Sequence, residues 1–368
     1  MHLIEAGEDL AALDAALAAL PNGGGVFLLW PREGAPYLAR TAALGRRLRR
    51  LVGERAAPGR LLNLRHTVRR IEYEWTGSAF ESSVRLYELA RTHFPDRYLE
   101  RLKLRMPPYI KIGLGNPFPR ATVTAHVGRA PAHYFGPFRA RAAAERFASE
   151  ALDLFQMRRC QEDLLPSPAH PGCIYGEMGM CLRPCQEVVG GDEYRHEVAR
   201  VAEFLASGGH SLLEGIARSR DRYSEQLQFE EAARQHKRYD KVQEVWKLCD
   251  EMARDLDRFH GAAITPSAAP DAVEMWFVRG GWWLGRCRLS YEVEEGKTVS
   301  LDRRLRETIA GLGERKLTVR ERQEYLAILA RWFYSSWRDG EWISFEDYGH
   351  VPWRKLVNAV SRVARGRE

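Results

Sequence analysis

Gly23-Gly24-Gly25-Val26-Phe27-Leu28-Leu29-Trp30, then Tyr37-Leu38-Ala39 beyond a proline-bounded turn, then residues 42–52, decide the fold class. The first run is glycine punctuation followed by a short apolar stretch, the signature of a buried strand. The second is a short partner strand. In the third, Leu44, Leu48 and Leu51 recur at helical spacing with arginines between them. The alternating run Arg70-Ile71-Glu72-Tyr73-Glu74-Trp75 adds another strand. A helix follows, capped by Ser78 and stopped at about His93 ahead of Pro95. The chain thus begins as a small α/β unit, and the class expected for the whole is α/β and multi-domain.

Working outward, residues 2–20 read as an amphipathic helix. Strands are expected at 109–112 and 122–124, an aromatic turn at 134–138 and a helix at 141–155. Residues 192–258 are strongly helical, with two antiparallel helices after a break at Ser207-Gly208-Gly209-His210. A linker is expected at 264–270, then a strand pair, 273–276 and 282–291, around Gly280-Gly281. Helices at 302–312 and 319–336, a strand at 342–344 and a helix from Pro352 complete the chain. The expected units are an N-terminal helix (1–22), the small α/β domain (23–100), a four-cysteine domain (101–190), a helical hairpin (191–260) and a C-terminal α/β domain (261–368).

A length of 368 residues and 42.1 kDa suggests two to four domains. The hydrophobic share of 45% can fill real cores, which excludes a disordered chain. No apolar run reaches bilayer length and no signal-like segment opens the chain, so a cytoplasmic protein without membrane contact is expected. The 56 basic residues exceed the 49 acidic ones by seven. That excess is concentrated: from Arg40 to Arg70 there are ten arginines against Glu54 alone. Arg suits bidentate phosphate contact, so Arg40, Arg46, Arg47 and Arg50 are candidate DNA ligands. The alternative is a solvated helix face.

Cys160, Cys173, Cys181 and Cys185 crowd into 26 residues with spacing C-x12-C-x7-C-x3-C. Without a secretory segment, four such thiols point to a metal or iron–sulfur site rather than two disulfides. Spacing alone leaves structural zinc and a cubane cluster both open. Arg158, Arg159 and Arg183 flank them and suggest a basic surface there.

Several segments, in order, resemble the UvrC family, the C component of the bacterial UvrABC excinuclease, over nearly the whole chain. Gly25-Val26-Phe27 and Tyr37-Leu38-Ala39 look like a worn GIY-YIG pair. Tyr109-Ile110-Lys111, Pro117-Phe118-Pro119-Arg120, Tyr134-Phe135-Gly136-Pro137-Phe138 and Cys173 through Cys185 are close to the family's next segment. Leu227-Gln228-Phe229-Glu230-Glu231-Ala232-Ala233 looks like its UVR motif. The resemblance implies a nuclease domain, a [4Fe-4S] cluster on the four cysteines with zinc as runner-up, and a hairpin that docks onto the excinuclease's B-type component.

Carried over residue by residue, Tyr37 matches the second motif tyrosine and Arg47 the phosphate-binding arginine. The rest departs. Phe27 stands where the first tyrosine belongs, Ala39 replaces a glycine, and Leu86 stands where the metal-binding glutamate is expected. Glu88 is about 200° around the helix from Leu86 and Glu81 about 140°, so neither substitutes for it. An inactive centre is therefore expected, with no catalytic Mg²⁺. In the UVR-like segment, Leu227, Phe229 and Ala233 offer an apolar stripe and Glu230 a polar anchor for the partner; the alternative is a stripe satisfied within the chain. Seven C-terminal tryptophans (276, 282, 283, 332, 337, 342, 353) are read as core, with base stacking the alternative.

The function expected is that of a UvrC-like excinuclease protein of DNA nucleotide excision repair, binding DNA and a B-type partner. Its rivals are a single-incision repair endonuclease with an altered GIY-YIG centre and an RNA-binding or regulatory protein.

Overall fold

The computed structural model describes residues 1–6, 9–54, 63–291, 300–313 and 315–366. It is mixed α/β with three antiparallel four-stranded sheets. The first contains β1 (His2–Glu5), β2 (Gly24–Pro31), β3 (Tyr37–Thr41) and β4 (Val68–Thr76) in the order β1-β4-β2-β3, with α1 (Leu10–Ala18), α2 (Leu44–Val52) and α3 (Ala79–His93) around it. Residues 2–20 are thus not one helix. His2–Glu5 pair along β4, where ladder hydrogen bonds are available, and the helix begins only after Asp9, whose carboxylate accepts from the Ala11 and Ala12 amides.

Side chains alternate across β2, and this alternation divides the unit. Phe27 and Leu29 face α1 and α2 and pack with Leu13, Leu17, Leu44 and Leu48. Val26 and Leu28 face the other way and pack with Leu86 and Leu89 of α3. Gly25 is required where it stands, since a Cβ there would lie 2.6 Å from the Glu74 carbonyl oxygen. The expected helix cap at Ser78 is present, its hydroxyl accepting from the Glu81 amide at 3.0 Å.

After α4 (Tyr98–Leu102), the middle region builds β5 (Tyr109–Gly113), β6 (Ala121–Thr124), β7 (Ala132–Gly136), α5 (Arg141–Leu152), the single turn α6 (Ile174–Glu177), α7 (Gly191–Ala206), α8 (His210–Glu225), α9 (Phe229–Lys247) and β8 (Arg254–Asp255). The aromatic run at 134–138 is largely strand rather than turn: Tyr134 and Phe135 pair with β5. Helix ends at Lys247, not 258, because Arg254 and Asp255 add a short edge strand to β7. Phe135, Phe147, Phe204 and Trp246 form one aromatic knot. With buried Val242 and Val245 it roots the α8–α9 hairpin in the same core as the cysteine region.

The C-terminal region is the sheet β11-β10-β9-β12, from β9 (His260–Pro266), β10 (Ala272–Arg279), β11 (Trp282–Ser290) and β12 (Glu341–Phe345), with α10 (Leu301–Ala310), α11 (Val319–Phe333) and α12 (Trp353–Arg365). The stretch expected as a linker, 264–270, begins inside strand β9, which takes its first three residues. Ile264 and Thr265 are fully buried, and Pro266 falls at the strand's last position, where a missing donor costs least. Trp276, Trp283 and Trp332 are core, and Phe80 of α3 packs on all three. This seam joins the N-terminal and C-terminal regions. Among the described residues, no helix is long and apolar enough to cross a membrane.

Candidate functional site

The N-terminal centre brings together Tyr37, Arg47 and Phe27 of the four positions singled out for it, and leaves Leu86 apart. The Arg47 guanidinium stands 3.5 Å from the Tyr37 hydroxyl, at the outer limit of a hydrogen bond. Phe27 is fully buried, its ring 6.1 Å from that of Tyr37. Leu86 lies across the sheet, with Val26 and Leu28. Nor do the neighbouring glutamates approach Arg47. Glu88 serves Arg85 and the Tyr325 hydroxyl. Glu81 is 1% exposed at the seam, accepting from the Gly77 amide and paired with Arg286 at 2.7 Å. The arrangement leaves a guanidinium beside a phenol hydroxyl; among the described residues, no carboxylate is paired with Arg47.

The arginine run is dispersed by the fold. Arg46, Arg47 and Arg50 lie on α2, with Arg46 and Arg50 exposed. Arg40 is separated from them, because its strand position points to α3, where it donates to the Ala79 carbonyl and, at 2.6 Å, to the Ser83 hydroxyl. Arg65 is tied to Asp14 at 2.5 Å and Arg70 to Glu72 at 2.8 Å. Arg55 and Arg60 lie outside the described residues. The candidate DNA surface reduces to the face of α2.

The four cysteines are free thiols, Cys181 and Cys185 buried and Cys160 and Cys173 half-buried. Burial first, then the neighbouring thiols, pushes the Cys181 and Cys185 thiols up. Arg158 is not part of a basic surface. It is buried, donates to the Phe118 carbonyl at 2.8 Å, and lies 3.3 Å from the Cys160 sulfur. Its second terminal nitrogen has no partner. A buried cation with an unmet donor, placed against thiols, calls for negative charge there. The Arg183 amide points at the Cys181 sulfur, 3.4 Å away. Arg159 is paired with Asp153. The donor set therefore fits a four-thiolate group. Among the described residues, no three His, Cys, Asp or Glu side chains stand as a metal-holding group.

The hairpin presents its tip to solvent. Leu227 is 73% exposed and Phe229 64%, with Glu230 and Ala233 exposed beside them. Leu227 also holds a left-handed backbone conformation, φ 56°, which a bulky residue adopts at a cost. The described residues leave Leu227 and Phe229 largely uncovered.

One cluster had no signal in the sequence. Glu74, Glu81 and Glu274, from β4, α3 and β10, meet Arg85, Arg286 and Arg288 at the seam. The carboxylates lie up to two hundred residues apart along the chain, so no local motif links them. Each is answered by an arginine, which makes this an ion network.

Residues 107–204 match the family model of the UvrC/Cho excinuclease middle domain. The chain is 27% identical over 295 residues to the UvrABC system protein C of Lachnospira eligens, covering 78% of this chain and 48% of that protein. It is 30% identical over 289 residues to that of Moorella thermoacetica, covering 77% and 46%. No solved structure matches it. The chain spans about half the length of the curated relatives it matches. With the middle domain built around the four cysteines and the remaining likeness running through both neighbouring regions, the chain belongs to the UvrC family.

Proposed function

We propose that this protein works in nucleotide excision repair as a UvrC-like component that binds DNA and docks a B-type partner through the tip of the α8–α9 hairpin. The observation that carries this reading is the tip itself. Two large apolar side chains, Leu227 and Phe229, stand in water on a hairpin whose root is locked into the core. Natural surfaces keep such an anchor pair when a partner covers it. Glu230 at the start of α9 adds a polar contact that fixes the register of a docking helix. Lys237 also lies on the exposed face of α9.

In the same reading, Cys160, Cys173, Cys181 and Cys185 hold a [4Fe-4S] cluster, with zinc as the runner-up. Bound there, it would cross-link a loop that has little regular structure of its own. The α2 arginines contact DNA phosphates, and the Tyr37–Arg47 pair holds a phosphate without cutting it. The test is binding of the whole protein to the B-type partner by calorimetry. Leu227→Asp with Phe229→Asp should weaken binding at least about 100-fold and leave the unfolding temperature unchanged. Unaltered affinity would overturn the reading.

The Tyr37–Arg47 contact favours one second reading, a single-incision endonuclease. Mg²⁺- or Mn²⁺-dependent nicking by the unmodified protein, abolished by Arg47→Ala, would establish it; no nicking is expected.

A further inference from the structure

A cleft of about 730 Å³ runs between the middle region and α11. Lys103, Arg105, Arg139, Arg141 and Arg331 line it, drawn from three separate parts of the chain. Two of the five have acidic partners: Asp250 lies 3.1 Å from Arg139 and Glu145 lies 2.7 Å from Arg141. Among the described residues, no carboxylate is paired with Lys103, Arg105 or Arg331, and all three are exposed. Pro107, Phe138 and Tyr334 also line it, with the Tyr334 hydroxyl donating to the Pro137 carbonyl at 2.9 Å. A concave wall with cations at its rim concentrates anions more strongly than the same charges on a flat surface.

The cleft has a neighbour. Arg331 lies near enough to Arg40 that its charge, after burial, helps to lower the Arg40 pKa. Arg40 and Trp337 line a second cavity of about 560 Å³. The Trp337 ring is 38% exposed, unlike Trp276, Trp283 and Trp332 of the core, and lies 5.7 Å from the Arg40 guanidinium. Cations that track a backbone, next to an exposed aromatic face, are the two parts of a single-strand binding path.

We infer that this cleft binds the phosphodiester backbone of an unpaired DNA strand, with Trp337 as the stacking platform for a base. The surface is distinct from the α2 face and from the hairpin tip, and the inference does not depend on the docking partner. It is tested with the whole protein and a fluorescent oligothymidine, by anisotropy over a salt series. Replacing Lys103, Arg105 and Arg331 together with Gln should lower the salt slope by about two units, since each neutralised phosphate contributes about 0.7 on a single strand. Trp337→Ala should weaken single-strand binding about five-fold or more. Arg105→Lys, with charge retained, should keep the slope. An unchanged slope in the triple cleft variant, with its thermal melt unaltered, overturns the inference.

Discussion

In the N-terminal unit, an apolar core holds four strands and three helices, and the Arg47 guanidinium stands beside the Tyr37 hydroxyl. Between Cys160 and Cys185 the balance is reversed, with four thiols crowded into a segment whose regular structure is one helical turn and a short 3-10 turn. The two regions are held by different forces. Buried Phe27 and Leu48 keep the sheet unit folded whether or not anything binds to it. In the cysteine segment regular structure is scarce, so the fold proposed for it depends on the group the four thiols would hold. A domain of the first kind can lose its chemistry and persist. One of the second kind cannot.

The largest effect expected from this contrast is all-or-none. Anaerobically purified protein should carry about four iron per chain and absorb in the visible. Cys173→Ala or Cys181→Ala should abolish both and expose the 160–185 segment to protease. Stoichiometric zinc without iron would transfer the site to the runner-up metal. An intact, protease-resistant segment without any metal would break the comparison itself.

On the sheet side, Phe27→Ala should cost about 3–5 kcal/mol in denaturant unfolding, the usual price of emptying an aromatic core site. Arg47→Ala should cost under about 1 kcal/mol, as for other sites outside the core. Equal costs would mean that the Tyr37–Arg47 pair, and not the core, holds the unit together.

The seam between N-terminal and C-terminal regions sharpens the contrast through pH. Burial, outweighing the Arg286 guanidinium and the Gly77 amide, pushes Glu81 from 4.5 to about 7; the charges of Glu274 and Glu74 add to the rise. A carboxyl raised on folding stabilises while it is protonated in the fold. Its contribution is complete below pH 4.5 and is lost as pH rises through about 7. The shift corresponds to about 3 kcal/mol. Glu81→Gln should remove that decline, measured as unfolding free energy at pH 5 and pH 8. A variant with the same decline as the unmodified protein would show that other groups carry it.

Much of this was legible in sequence because the signals are local. Leucines at helical spacing, the Ser78 cap and the Gly280-Gly281 turn each act within a few residues, and the structure has elements at each. What was not legible depends on distant partners. His2–Glu5 becomes a strand because β4 offers an edge, and 260–266 because β10 and β12 flank it. The same limit applies to the sites. The four cysteines announced themselves by spacing. The Glu74–Glu81–Glu274 network and the Lys103–Arg331 cleft are assembled from segments more than 150 residues apart, which no window along the chain contains. The arginine run shows the converse failure: contiguous in sequence, it is divided by strand alternation, which sends Arg40 to one side of the sheet and α2 to the other.

That division sets the smallest effect, on duplex DNA. Each phosphate neutralised on a duplex contributes nearly one unit to the slope of log affinity against log salt, because a condensed counterion is released. Arg46, Arg47 and Arg50 sit on one helix and can face a phosphate track together. Replacing all three with Gln should therefore lower the slope by about two to three units, or about 30-fold in affinity between 50 and 200 mM salt. Arg40→Gln should leave the duplex slope unchanged, since Arg40 is turned towards Ala79 and Ser83. If both variants lowered the slope equally, the two faces of the sheet would be one DNA surface, and the partition drawn from β-strand alternation would be wrong. If neither did, the α2 arginines would be a solvated face, and the proposed phosphate contact of the N-terminal unit would fall with them.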